Sequence, residues 1–148
     1  MATLKEILLA DDKRARLIDD CVALIDREVA AKSGLSGMAV KGAFAVVKKI
    51  KPSIVEEAVR RLIGDFINAL EADYATTLAA GNGNFAAHLL GNSRQVADAL
   101  LAVTDRRMDG AQNKTVIAAY GKLRPAAVKH VEAAVPGIAE LIQTNLDA

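Results

Sequence analysis

The sequence predicts an all-α fold, a compact multi-helix bundle of about eight short and long helices. Three observations support this class. Apolar residues recur at helical spacing along nearly the whole chain, and residues that begin or end helices bound these stretches. No stretch clusters strand-forming residues, and the chain has only three Phe, two Tyr and no Trp. With 148 residues, it is predicted to form a single domain, residues 1–148.

Two helices are predicted at the start of the chain. Thr3–Glu6 has the capping-box pattern, which satisfies free backbone N–H groups and begins a short first helix. A long second helix is predicted from about Asp12 to Lys32, with Gly34 ending it. Its inward face is formed by the apolar positions that recur at helical spacing: Leu17, Ile18, Cys21, Val22, Ile25 and Val29.

Two further helices complete the first half. Ser36 is predicted to cap a third helix, Gly37 to Ile50, which ends because Pro52 restricts the preceding residue. Ser53–Glu56 is a second capping box and opens a fourth helix of about 25 residues. A glycine and asparagine turn at 81–84 then separates the two halves of the chain.

The second half is also predicted to be helical. A short helix is expected at Phe85 to Leu90, and Ser93 is expected to cap another that runs to about Met108. Asn113 to Leu123 forms the next predicted helix. Pro125 and Pro136 each suit the first turn of a following helix, because proline lacks the N–H that is unpaired there.

The two halves repeat each other in the same order. Three segments match, with offsets of 81, 79 and 73 positions: Leu4–Arg14 with Phe85–Gln95, Leu17–Val29 with Val96–Met108, and Phe44–Val55 with Ile117–Val128. The offsets change only between helices, where loops gain or lose residues. This predicts two degenerate helical repeats, about 3–80 and 84–147, whose apolar faces meet across an approximate twofold axis. The alternative is that amphipathic helices rich in Ala align by chance.

Composition and spacing exclude several classes of site. A net charge of +1 provides no overall attraction to nucleic acid, so none is expected as a partner. Cys21 is the only cysteine, which excludes an internal disulfide, and its place on the inward stripe predicts a buried, inert thiol. Neither His88 nor His130 has the Glu-x-x-His spacing of a di-iron bundle. No catalytic residue, metal or cofactor is predicted.

The expected location is the cytoplasm. The N-terminus has acidic residues within a short apolar run and lacks the basic start of a signal peptide. No transmembrane segment is predicted, because the uncharged stretch from Tyr74 to Ser93 is interrupted by the turn at 81–84. A lone cysteine also favours a reducing compartment.

One charged face could bind a ligand or partner. Lys41, Lys48, Lys49 and Lys51 lie on one side of the third predicted helix, and no acidic residue lies between positions 35 and 52. The functional interpretation is a helix that docks on an anionic surface such as lipid head groups, an acidic partner or phosphate. The competing interpretation is a core helix whose lysine edge is solvated and partly paired with the acidic helix that follows.

The segments LSGMAVKGAFAVVKKIKPSIVEEAV and QVADALLAVTD, with EILLADDKR and KHVEAAVPGI near the ends, resemble a family of small uncharacterised bacterial proteins, a domain of unknown function. The resemblance covers nearly the whole chain. It implies a bacterial, soluble, cytoplasmic helical protein, and it brings no catalytic residue or ligand to carry over.

Two functions from different classes fit the sequence best. The first hypothesis is a non-enzymatic binding or scaffolding protein that acts through its surface, with a homodimer as one form. The alternative is a carrier or sensor of an apolar or amphipathic anionic small molecule or lipid head group, which requires a cavity of at least roughly 300 Å³. An enzyme of unrecognised type is a third and weaker hypothesis.

Overall fold

The computed structural model describes residues 2–81 and 84–148, and these residues form seven α-helices and no strand. The all-α prediction is confirmed, and the expected count of about eight is corrected to seven in the described residues. The helices are α1 (Leu4–Leu8), α2 (Asp11–Ala31), α3 (Gly34–Ile50), α4 (Ile54–Ala80), α5 (Phe85–Gly91), α6 (Ser93–Asp109) and α7 (Lys114–Asp147).

The count differs because α7 is one continuous helix of 34 residues with both prolines inside it. The prediction of separate helices around Pro125 and Pro136 was therefore wrong. An internal proline removes one backbone hydrogen bond and costs about 3 kcal/mol. Contacts along the length of α7 offset this cost, because the helix packs against α2, α3, α5 and α6 and buries Val135, Ala139 and Ile142.

The helix bounds lie close to the predicted ones, but three of the predicted caps were wrong. Ser36 lies inside α3, Ser53 precedes α4 without a side-chain cap hydrogen bond, and Ser93 is the first residue of α6. Thr3 caps α1 by accepting a hydrogen bond from the N–H of Glu6, 3.1 Å away. α3 begins at Gly34, before the predicted start at Gly37, because Gly34 adopts a φ of +74° that allows the chain to turn directly from α2. Gly81 ends α4 with a φ of +75°. The middle of the predicted turn, at 82–83, lies outside the described residues.

Four long helices, α2, α4, α6 and α7, form a ring. α2 and α6 each pack against both α4 and α7, which gives every helix of the ring two neighbours. The short helices close the arrangement, α1 chiefly on α4 and α5 chiefly on α7. The core combines the ring with these two short helices and includes Leu4, Leu17, Ile63, Phe85 and Val135. α3 lies beside the core and contributes only Gly37 and Val40 as buried residues.

The two short helices are anchored in the same way. The backbone N–H groups of Leu4 and Lys5 donate to the carboxylate of Glu71 on α4, at 2.9 and 3.3 Å. The N–H of Ala86 on α5 donates to Oε1 of Gln143 on α7, at 3.2 Å. Each long helix thus satisfies free N–H groups in the first turn of a short helix, and the carboxylate also favours that helix end electrostatically.

Replacing Glu71 with Ala should lower the free energy of unfolding by about 1–3 kcal/mol, because two backbone donors of α1 lose a charged acceptor. Urea denaturation followed by circular dichroism measures the change. Asp65→Ala is the matched control, since Asp65 is an exposed carboxylate on the same helix and its loss should stay within about 0.5 kcal/mol. Equal effects of the two substitutions would contradict the anchoring role of Glu71.

Candidate ligand cavity

A cavity of about 320 Å³ lies within the ring of long helices. All four ring helices line it, together with Leu8 of α1 and with Val40 and Phe44 of α3. Its wall is made almost wholly of aliphatic and aromatic side chains. The exceptions among the described lining residues are Cys21, Glu28, Lys32, Thr104 and His130.

The side chains around this cavity leave about 320 Å³ unfilled. Their apolar surfaces therefore lack the dispersion contacts that close packing provides. The wall also offers few hydrogen-bond partners for water. A molecule of apolar character that filled the cavity would supply contacts that are now missing.

The polar lining residues at the end of α2 form a group with α7. Nζ of Lys32 lies 4.0 Å from Oε1 of Glu28 and 3.4 Å from the backbone oxygen of His130. The Lys32 side chain is only 14% exposed. Nε2 of His130 is buried and has no hydrogen-bond partner among the described residues. This end of the cavity therefore holds one cation and one imidazole nitrogen that is free to bind.

The environment of the cavity alters two ionisable groups. Burial lowers the pKa of His130, and the nearby charges of Lys32 and Lys129 lower it further, so the imidazole is neutral at neutral pH. Burial raises the pKa of the Cys21 thiol to about 11, with a smaller contribution from Asp20. A protonated thiol in this setting is a poor nucleophile, which makes Cys21 part of the apolar wall.

A second polar network ties α6 to the first part of α7. Nε and Nη2 of Arg124 donate to the two carboxylate oxygens of Asp105, at 2.9 and 3.0 Å. The Tyr120 hydroxyl also donates to Asp105 and lies 2.7 Å from Oγ1 of Thr104, a cavity residue. Hydrogen bonds from Arg124 and then Tyr120 lower the pKa of Asp105. The network joins α6 to α7 at one wall of the cavity. Both carboxylate oxygens of Asp105 already accept hydrogen bonds within it.

The four predicted lysines lie elsewhere. None of them lines the cavity. Lys48 pairs with Asp26 of α2 at 3.5 Å and Lys51 pairs with Glu57 of α4 at 2.9 Å, while Lys49 is exposed and Lys41 is half-buried. Any function of this lysine face is therefore separate from the cavity.

Sequence reasoning did not select the polar residues of the cavity. Glu28 and Lys32 are one helical turn apart at the end of the apolar stripe of α2. Their position beside that stripe was the sequence signal that could have identified them as polar residues next to the core. His130 is distant in the chain, and only the packing of α7 against α2 brings its backbone oxygen to Lys32. Gly37 allows α3 to approach this group closely, because a Cβ there would lie 2.8 Å from the carbonyl carbon of Lys32.

The fold and the site define a small helical protein with a half-open apolar cavity between its helices and, within residues 2–81 and 84–148, no group of three or more metal-ligating side chains. The chain belongs to a family of unknown function, DUF6918, whose model matches residues 4–146. Comparisons with curated proteins and with solved structures gave no match. None of the helices in the described part of the chain combines the length and the hydropathy needed to cross a bilayer.

The stability of the protein should decrease as the pH falls below about 6.5, the pKa of a histidine in an unfolded chain. Since the pKa of His130 is lower in the folded protein, the unfolded chain takes up the proton first, and acid favours unfolding. His130→Gln should remove part of this slope. Urea midpoints measured on both sides of pH 6.5 test it, and an unchanged slope in the variant would contradict the assignment to His130.

Proposed function

We propose that the protein is a carrier or sensor that binds a small molecule with an apolar body and an anionic head in the cavity between its long helices. The observation that supports this function is the apolar volume of about 320 Å³, which lies in the range of small-molecule sites. It also exceeds the minimum of roughly 300 Å³ that the carrier hypothesis requires.

The size of the cavity limits the ligand. An apolar cavity of about 150 Å³ accommodates benzene, so 320 Å³ suits a molecule of about a dozen non-hydrogen atoms. The lining is apolar along α4, where Val59, Ile63 and Ile67 contribute, and it is apolar on the facing surface of α7. A flexible alkyl chain matches such a wall, because its affinity comes from burial and needs few directed contacts.

The head of the ligand is assigned to the end of the cavity at Lys32 and His130. Lys32 supplies a poorly hydrated positive charge, and the unpartnered Nε2 of His130 supplies a hydrogen-bonding atom. A carboxylate there would pair with the ammonium and would accept a hydrogen bond from Nε2 in the tautomer that carries its proton on that atom. It would compete with Glu28, whose carboxylate is 4.0 Å from the ammonium.

We infer that an internal duplication accounts for the position of the cavity. Leu4 and Leu8 have the same near-complete burial as Phe85 and Leu89, the residues 81 positions later. The anchors are equivalent too, since Lys5 binds Glu71 and Ala86 binds Gln143. With α1–α4 as one repeat and α5–α7 as the other, exchanging them maps the ring of long helices onto itself, and the cavity lies where the repeats meet.

Surface binding, as a scaffolding protein, is the second candidate. It is favoured by large apolar side chains on the outside of α3, where Leu35 is 94% and Met38 is 66% exposed. A bacterial cytoplasm is the proposed location, which agrees with the single cysteine of the chain.

Native mass spectrometry tests the carrier function most directly. Protein purified from its own cells should retain an apolar or amphipathic molecule of up to about a dozen non-hydrogen atoms. Decanoate, which has this size, should bind the emptied protein, and decane should bind more weakly because it lacks the anionic head. The proposal would be contradicted if the purified protein retained no such molecule and the emptied protein did not bind decanoate.

Filling the cavity from within should weaken this binding. Ala134 lines the cavity, and Ala133, its neighbour on α7, is exposed. Ala134→Leu should reduce decanoate affinity and should stabilise the empty protein by about 1–2 kcal/mol, because new methyl and methylene groups are buried. Ala133→Leu is the matched control and should change neither. Isothermal titration calorimetry and urea denaturation measure the two effects, and equal affinities in both variants would place decanoate outside the cavity.

A further inference from the structure

The outward face of α3 is apolar. The residues on this face are exposed and recur three or four positions apart, so they form one stripe along the helix: Leu35, Met38, Ala39, Gly42, Ala45, Val46 and Ile50. We call these seven residues the α3 stripe. Its four large members are 94%, 66%, 45% and 44% exposed, in chain order. A surface helix usually turns its polar side to water, and a continuous exposed apolar face marks an interaction site.

The inward face of the same helix packs against the rest of the protein. Gly37 and Val40 are buried, and Phe44 lines the cavity. Turning α3 to bury the stripe would therefore expose these residues and open the cavity wall. The stripe needs an occupant from outside the molecule.

Charge on α3 selects the nature of that occupant. The helix has no acidic residue, and Lys41 and Lys48 lie next to Ala45 on its surface. Lys49 is exposed and lies within the width of the stripe itself. The ion pairs of Lys48 with Asp26 and of Lys51 with Glu57 are on the surface, where such pairs contribute little and exchange readily. These lysines remain available to an anionic partner.

A second copy of this chain fits the α3 stripe poorly. Pairing two stripes would bring the lysines of both helices together with no acidic residue on either helix. It would also remove water from Lys49 within an apolar interface, at a considerable cost. At a bilayer, by contrast, a lysine extends its chain along the apolar surface and keeps its ammonium group among lipid phosphates.

We propose that α3 docks on an anionic lipid bilayer with the α3 stripe inserted into the interface. The two most exposed apolar side chains, Leu35 and Met38, lie near the N-terminal end of the helix and enter deepest. Three of the lysines, Lys48, Lys49 and Lys51, lie at its C-terminal end and contact the head groups. This inference does not depend on the cavity ligand, since docking and cavity binding use opposite faces of α3.

Vesicle flotation with the full-length protein tests the proposal. The wild type should bind vesicles of phosphatidylcholine containing one third phosphatidylglycerol, should release them as salt rises, and should leave pure phosphatidylcholine vesicles unbound. Leu35→Gln combined with Met38→Gln should weaken binding at least about tenfold, because apolar burial is lost. Leu90→Gln is the matched control, since Leu90 is 50% exposed on α5 and should have no effect.

The charge contribution has its own matched pair. Lys49→Glu should weaken binding about fivefold or more, because a charge near an anionic membrane contributes about a factor of five. Lys122→Glu, an exposed lysine of α7, should leave binding unchanged. All these side chains are exposed, so circular dichroism should show an intact fold. Decanoate affinity, measured in parallel, should be the same in all these variants as in the wild type.

Three results would overturn the proposal. The first is no binding of the wild type to anionic vesicles, and the second is wild-type binding by the variant with both Leu35 and Met38 replaced. The third combines three observations: the wild type is a dimer in light scattering, the variant is a monomer, and the wild type does not bind vesicles. This result would assign the α3 stripe to contact with a second copy of the chain. Weaker vesicle binding by the variant with both Leu35 and Met38 replaced and by Lys49→Glu, with both controls unchanged, supports the bilayer as the occupant.

Discussion

The packing of α2, α4, α6 and α7 into a ring is the constraint on which the rest of the structure depends. Each helix has an apolar face and packs against two neighbours, so none of these faces is buried unless the ring closes. The space along the middle of the ring has to be filled by side chains, and on α7 the residues that face it include Ala134. The side chains stop short of filling it, and the cavity is the volume that remains.

The ring also places the charged and imidazole groups of the cavity wall at the margin of the cavity. Lys32 and His130 lie where α2 and α7 approach each other at one end of the cavity. Asp105 and Arg124 join α6 to α7 at the wall, with their charges paired. The interior is left to dispersion and to the hydrophobic effect, which select a ligand by size and apolar surface and give little chemical discrimination. Chemical discrimination between ligands therefore depends on Lys32 and His130 at the polar end of the cavity.

α3 differs from the ring helices because it has apolar residues on both sides. Its inner side covers the cavity through Val40 and Phe44, and its outer side carries Leu35 and Met38. Hydrophobic periodicity on such a helix is ambiguous, since the pattern does not tell which face turns inward. The four lysines mark this helix in the sequence as a charged element. The apolar stripe beside them became evident only once the orientation of the helix was known.

The sequence by itself determined the helices, most of their ends, and the all-α class, because these follow from local periodicity, from caps such as Thr3 and from turning glycines such as Gly34 and Gly81. It did not determine the continuity of α7, since the local cost of Pro125 and Pro136 is offset by contacts with helices distant in the chain. Only the packing of the helices against one another leaves the apolar volume between them unfilled. A cavity is the difference between the space that helix packing encloses and the space that side chains occupy, and neither quantity is local.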